Sequence, residues 1–490
     1  MTTRKRIGFI AGAGVGAAAA AALRRAWAGR GRPGDEETEG LGPFARPFLD
    51  HLAEAIRIPT VSHEDWGRVD EREFERFRGF LSETYPMMHE HLDHEVIADH
   101  SLLYRWPGSD ATQPPILLMC HYDVVPVEPG TEGDWPHPPF EAVDDGTHLW
   151  GRGAIDDKGS LVGLFEAFES LLAEGFRPEA TLYLSVGHDE EVGGPRGASA
   201  VAAVLAERGV RFSLVLDEGG AVVEDLLPGA SAPVALVGIG EKGYLNVEIT
   251  ALGEGGHSST PPESTAIGKV AATIAALERT PMPAHVEVQA GLFTALAAVL
   301  PFPQRVALRH ASRLSGLVEG RLSGNPATAA VIRTTAAATI VEGGVKPNVL
   351  PQQARAVVNF RILHGDTIDA VVSHVRSLAP PGVTVRPLEG GFTSEPSGLS
   401  DPQSGAFGLV AGTVAEVFGD AVVAPWILMG ATDSRFFAPI ADQVLRFAPF
   451  RLTPADMGRV HGTGERVRVD DADRAVRFYR LLIRRACGMG

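Results

Sequence analysis

The stretch TLYLSVGHDEEVGG, residues 181–194, decides how the chain reads. Thr181 to Gly187 reads as an apolar strand of an α/β fold. Beyond it come His188, Asp189, Glu190 and Glu191 and then paired glycines. Open α/β sheets place their active sites just past such strand ends. Two neighbouring carboxylates directed into a cleft suit a division of labour, one binding a metal and the other handling a proton. In a solvated loop the same pair would carry no function.

The pattern recurs on either side. Ile116 to Cys120 reads as a short strand and is followed by HYDVVP, residues 121–126. Phe212 to Leu216 reads as another, followed by the acids of LDEGG, residues 216–220. GRGAIDDKGS, residues 151–160, puts two aspartates ahead of a helix that runs from Ser160 to Glu174 and stops at Gly175. HGTGE, residues 461–465, supplies a histidine near the C-terminus. Each segment has an ordinary alternative. Asp123 could orient a structural histidine, the aspartates at 156 and 157 could cap a helix, and a single histidine such as His461 is commonly structural. The ensemble argues for metal chemistry, because several independent strand ends carry hard-metal ligand types.

Farther out, Phe48 to Ile58 has helical spacing and stops at Pro59, and Asp471 to Arg485 reads as a closing helix. Near Gly240 the character changes. Tyr244 to Ala251 alternates like a half-exposed strand, Ser264 to Leu277 reads as a helix, and Ala329 to Ile340 and Gln353 to Ile362 read as strands. We therefore expect an α/β catalytic domain at 44–241 and 390–488, interrupted by a smaller α+β domain at 242–389. A length of 490 residues agrees with more than one core.

Composition narrows the chemistry. Hydrophobic residues are 44% and charged residues 21% of the chain, ordinary for a globular protein. The formal charge of −17 argues against a nucleic-acid partner, which requires a basic surface. With only Cys120 and Cys487, neither a disulfide framework nor a thiolate zinc site can be built, so any metal binds through His, Asp and Glu. Cys120 reads as a small buried hydrophobe. At the N-terminus, Arg4, Lys5 and Arg6 precede an Ala/Gly-rich run from Ile7 to Leu23, then Arg24 and Arg25. That resembles an export signal or a membrane tether, with a plain helix as the alternative. Residues 29–43 read as a linker. We expect an exported protein.

Taken together the segments resemble the co-catalytic zinc metallopeptidase family that includes glutamate carboxypeptidase, aminoacylase and succinyl-diaminopimelate desuccinylase. The likeness runs from about residue 45 to 488. The stretches GHSSTPPESTAIG, GVKPNVLPQQARAVVNFRI, TDSRFF and RVHGTGERV are most similar to the branch of carboxypeptidase S and the N-fatty-acyl-amino-acid synthase/hydrolase. The resemblance implies a mixed central sheet flanked by helices, and a ferredoxin-like inserted domain that lids the site and dimerises.

It also implies two zinc ions, with His121 and Asp217 on one, Glu191 and His461 on the other, and Asp156 bridging ahead of a cis peptide to Asp157. Asp123 would fix the tautomer of His121. Glu190 would be the general base, and His257 would reach across a dimer interface to stabilise an oxyanion. Asn348, Arg361, Thr432 and Arg435 would contact substrate, Arg361 by a bidentate grip on a carboxylate. The implied reaction is hydrolysis of N-acyl amino acids or short peptides with a free C-terminal carboxylate. A broad dipeptidase or carboxypeptidase is the alternative within enzymes, and a non-catalytic binding scaffold the alternative outside them.

Overall fold

A computed structural model describes residues 41–226, 229–390 and 392–488. The N-terminal export or anchor reading lies outside these residues. Among the described residues, no helix is long and apolar enough to cross a membrane.

The three apolar runs of the sequence form the centre of a mixed ten-stranded sheet. Ile116–His121 lies parallel to both Leu182–Gly187 and Leu214–Asp217, and every residue of the three is buried. Asp93–Ile97 and Ser101–Trp106 extend one side antiparallel. Val444–Arg446, Val234–Glu241 and Val422–Leu428 extend the other. Burial on both faces follows from the helices that cover the sheet. Lys158–Ala173 is apolar around most of its circumference and packs between Ala45–Ile56 and Asp471–Ala486.

From Glu241 the chain passes through Lys242 alone into a second, antiparallel sheet. Its four strands, Gly243–Leu252, Thr335–Gly343, Gln353–Ile362 and Val383–Pro387, stand in the spatial order second, third, first, fourth. With helices Ala266–Arg279 and Ile368–Leu378 on one face, this is the ferredoxin-like βαββαβ arrangement. Leu245, Val247 and Ile249 alternate into a core shared with Val358, Phe360 and Val371.

Two features depart from the sequence reading. Ala329 to Ile340 is not one strand: Pro326–Ile332 is a helix, and the strand begins at Thr335. The side chain of Asn325 caps this helix by accepting from the N–H of Ala327 at 2.9 Å, and Pro326 sits in its first turn. The residues between Met282 and Arg333 also form a run of short helices, one of which, Ala290–Val299, packs against Val422–Leu428 of the large sheet. Leu292, Phe293 and Leu296 share a core with Val234 and Leu236 there.

Candidate active site and metal centre

The ends of the central parallel strands converge with two loops. His121 closes Ile116–His121, Glu190 and Glu191 lie in the turn after Leu182–Gly187, and Glu218 follows Leu214–Asp217. Asp156 sits in the turn ahead of the Lys158 helix, and His461 arrives from the C-terminal segment, its φ of 60° in the left-handed region that few side chains adopt.

Asp156 stands in the middle. Its Oδ1 is 3.0 Å from Nε2 of His121, and its Oδ2 is 3.0 Å from Nε2 of His461. Around His121, Oε1 of Glu218 lies at 3.6 Å; around His461, Oε2 of Glu191 lies at 2.9 Å. The Nδ1–H of His121 donates to the backbone carbonyl of Asp123 at 3.1 Å, which leaves Nε2 free to act as a ligand. The Asp156–Asp157 peptide is cis. Asp157 also lies within reach of His121 and Glu218, but it is fully buried and accepts from the His121 amide at 3.3 Å.

Asp123 acts on both sides of the cluster. Its carboxylate accepts from the amides of Glu190 and Glu191, each at 3.1 Å, and lies 3.3 Å from Nδ1 of His121. Burial opposes its charge, yet His121 and these amides hold its carboxyl below the ordinary range. A second clamp is Glu465. It accepts from the amides of Gly153, Ile155 and Asp156 at 2.9, 2.9 and 3.1 Å and pairs with Arg152 at 2.9 Å.

The electrostatics fit bound metal cations. Burial and then the charge of Asp156 push Glu191 up to about 7. Burial pushes Glu190 and Glu218 well above the carboxylate range, and neighbouring acids add to it. Oε1 of Glu191 is buried without a hydrogen-bond partner. Four acids packed this closely need positive charge. Imidazole and carboxylate ligands about 3 Å apart match neighbouring positions around one ion with bonds of about 2.0–2.2 Å.

Beside the cluster opens a cavity of about 350 Å³. Asp156, Glu190, Glu218 and His461 form its polar end. Apart from Thr432 the rest is apolar, including Val223, Leu236, Trp426, Leu428, Phe450 and Met457.

Residues 117–485 match peptidase family M20/M25/M40. The chain belongs to this family. It is 36% identical over 442 residues to probable carboxypeptidase S-like 2 of Dictyostelium discoideum, covering 89% of this chain and 84% of that one. It is 35% identical, also over 442 residues, to the human N-fatty-acyl-amino acid synthase/hydrolase PM20D1, covering 89% and 87%. The fold resembles that of an M20 family metallo-carboxypeptidase from Sulfolobus solfataricus, with a TM-score of 0.64 at 16% identity over 89% of this chain and 98% of that one. This M20/M25/M40 member is therefore a metal-dependent hydrolase.

The remaining candidates fall in different places. The Asp217 carboxylate accepts from the amides of Ser434 at 2.8 Å and Glu218 at 3.0 Å, so it braces the loop at 432–435 while its neighbour Glu218 faces His121. Thr432 lies on the cavity wall, and its hydroxyl donates to Glu241 at 2.7 Å. Arg435 donates to the carbonyls of Thr432 and Gly193 and stacks on Phe392 and Phe436, at 4.6 and 4.8 Å. Arg361 is half-buried over the Tyr244 ring at 4.6 Å. His257 and Asn348 are exposed on or beside a two-stranded ribbon, Gly256–His257 with Val349–Leu350. None of Arg361, His257, Asn348 and Arg435 lines the cavity.

Sequence reasoning missed Glu218 and Glu465. Both stand in the segments it singled out. The signal for Glu218 was its place just past a strand end, next to the chosen aspartate. For Glu465 there was none, since only the fold brings it beneath Asp156.

Proposed function

We propose that this chain hydrolyses N-acyl amino acids, the acyl group occupying the apolar cavity and the amide lying over the acid and histidine cluster. The observation that carries the reading is that cavity: it opens directly on Asp156, Glu190, Glu218 and His461, and apart from Thr432 its remaining wall offers an acyl chain apolar surface.

In this reading two zinc ions are held, one by His121, Asp156 and Glu218 and the other by Asp156, Glu191 and His461. Bound there, they polarise the acyl oxygen and make water acidic enough to serve as a nucleophile near neutral pH. Glu190 takes the proton from the attacking water and returns it to the leaving amide nitrogen. Its place on the cavity wall beside Asp156, Glu218 and His461 suits it to holding a proton between those two steps. Asp123 holds the Glu190 turn and His121 in fixed relation.

The small sheet at 242–389, excluding the helices packed on the large one, is proposed as a lid. Closure or dimerisation would bring His257, Asn348 and Arg361 to the substrate carboxylate and oxyanion. The basic-flanked, alanine-rich run at 7–23 supports export or tethering.

The test is a comparison of N-oleoyl-phenylalanine with the dipeptide Gly-Leu on zinc-loaded protein. A kcat/KM at least roughly tenfold higher for the acyl substrate is expected from the apolar wall. A ratio favouring Gly-Leu would move the assignment to a dipeptidase, and no turnover of either would remove it.

A further inference from the structure

The run of short helices between the two parts of the small sheet carries a surface that catalysis does not use. PFPQRVALRHASRLSGLVEGRLSG, residues 301–324, has four arginines and one glutamate in a chain of formal charge −17. That glutamate, Glu319, pairs with Arg333 at 3.2 Å. Arg305, Arg309, Arg313 and Arg321 are exposed, and among the described residues none of them forms a salt bridge.

Large apolar side chains stand among these arginines. Phe302 is 79% exposed and Leu317 67%, with Val306 and Leu314 also exposed. Leu314 caps the Ser315–Leu322 helix and Leu317 and Arg321 stand exposed on it, while Val318 is buried. Scattered exposed leucines are ordinary in globular proteins. Four large apolar groups interleaved with four unpaired arginines, on an otherwise acidic chain, are not.

The inward face ties this surface to the cavity. Ala311 and Val318 are buried in a core that includes Val223 and Leu236, with Trp426 packed against it. The same three residues line the cavity wall. The exposed surface is thus the outer side of the element that backs the apolar end of the site.

We propose that residues 301–324 dock this protein on an anionic lipid bilayer. The arginines meet the headgroup phosphates, and Phe302, Val306, Leu314 and Leu317 enter the boundary below them, the combination by which interfacial helices hold a membrane surface. For a long-chain acyl substrate, which rests on the functional reading above, docking sets the cavity beside the phase in which that substrate dissolves.

The full chain is mixed with phosphatidylcholine vesicles, with or without phosphatidylglycerol, and bound protein is measured by sedimentation. Binding should require the anionic lipid, and the joint substitution R305E/R309E/R313E/R321E should weaken it by roughly tenfold or more. Because the N-terminal segment is also basic, a local probe is needed. Cys120 and Cys487 are buried, so an environment-sensitive dye can be placed on Leu317→Cys alone. Its emission should rise and shift to the blue with anionic vesicles and stay unchanged with neutral ones. A dye that does not respond to anionic vesicles overturns the proposal, even if the chain sediments with them. So does emission that is high without lipid or rises with protein concentration, which would mark a protein partner or a second copy. Turnover of a soluble N-acetyl amino acid without vesicles should be the same in parent and variants. If there is none in any of them, the functional reading fails while the docking result stands.

Discussion

Nη1 of Arg152 lies 2.9 Å from Oε2 of Glu465 in the interior of the protein, although 313 residues separate them in sequence. The pair stitches together the two loops that meet at the metal centre. Glu465 collects the amides that precede Asp156, and Nη2 of Arg152 donates to the carbonyls of His461 and Gly462 at 3.3 and 3.0 Å. Glu465→Ala leaves a buried guanidinium uncompensated, so the unfolding midpoint should drop by the equivalent of about 3–5 kcal/mol. Zinc affinity at the Asp156–His461 position should fall about 10–100-fold in chelator competition, as for other groups that orient ligands. Unchanged affinity would mean that the two loops hold their positions without this pair.

Glu190→Gln keeps the shape of the side chain and removes its capacity to carry a proton. The turn is still held by the Asp123 carboxylate through backbone amides, which the substitution does not touch. We expect kcat to fall roughly 10²–10⁴-fold, with KM and bound zinc per chain close to the parent. Loss of zinc in this variant would instead make Glu190 a ligand.

These assignments also show what the sequence made legible. The central strands were readable because each is a continuous apolar run, the signature of burial on both faces, and the acids beyond them marked the site. His121, Asp156 and Glu191 stand in those segments and His461 in the C-terminal one, while their ligand roles came from the family resemblance. The sequence did not separate Asp217 from Glu218, because adjacent residues at a strand end point to opposite sides; in the structure Asp217 accepts from the Ser434 amide and Glu218 lies 3.6 Å from His121. The helix Pro326–Ile332 was lost to its β-branched Thr328, Val331 and Ile332, although its alanines favour helix and Asn325 and Pro326 carried the helix-start signal.

Glu218 and Asp217 can be separated by experiment. Glu218→Ala removes the carboxylate facing His121 and, on the proposed two-zinc reading, should lower the metal bound per chain, measured by elemental analysis after gel filtration. Asp217→Asn leaves Glu218 in place but loses an acceptor for the Ser434 amide, so zinc should stay bound while KM rises through the displaced loop at 432–435. The opposite outcome, zinc lost with Asp217→Asn and kept with Glu218→Ala, would restore Asp217 as the ligand.

His188 gives the site's surroundings an acid sensitivity. Its Nδ1 is hydrogen-bonded to the Ser101 hydroxyl at 2.7 Å, its Nε2 is buried without a partner, and its ring stands edge-on to Trp66. Burial lowers its pKa to about 4 from an ordinary 6.5. The unfolded chain therefore binds more protons than the folded one between those values, and stability falls as pH drops from 6.5 toward 4. The full loss is on the order of 3 kcal/mol. His188→Leu leaves the Ser101 hydroxyl without this partner and should lower stability at every pH, but the decline between pH 6.5 and 4 should be shallower than in the parent. Denaturant midpoints at half-unit pH intervals measure the difference, and parallel curves for parent and variant would show that His188 does not set the acid limit.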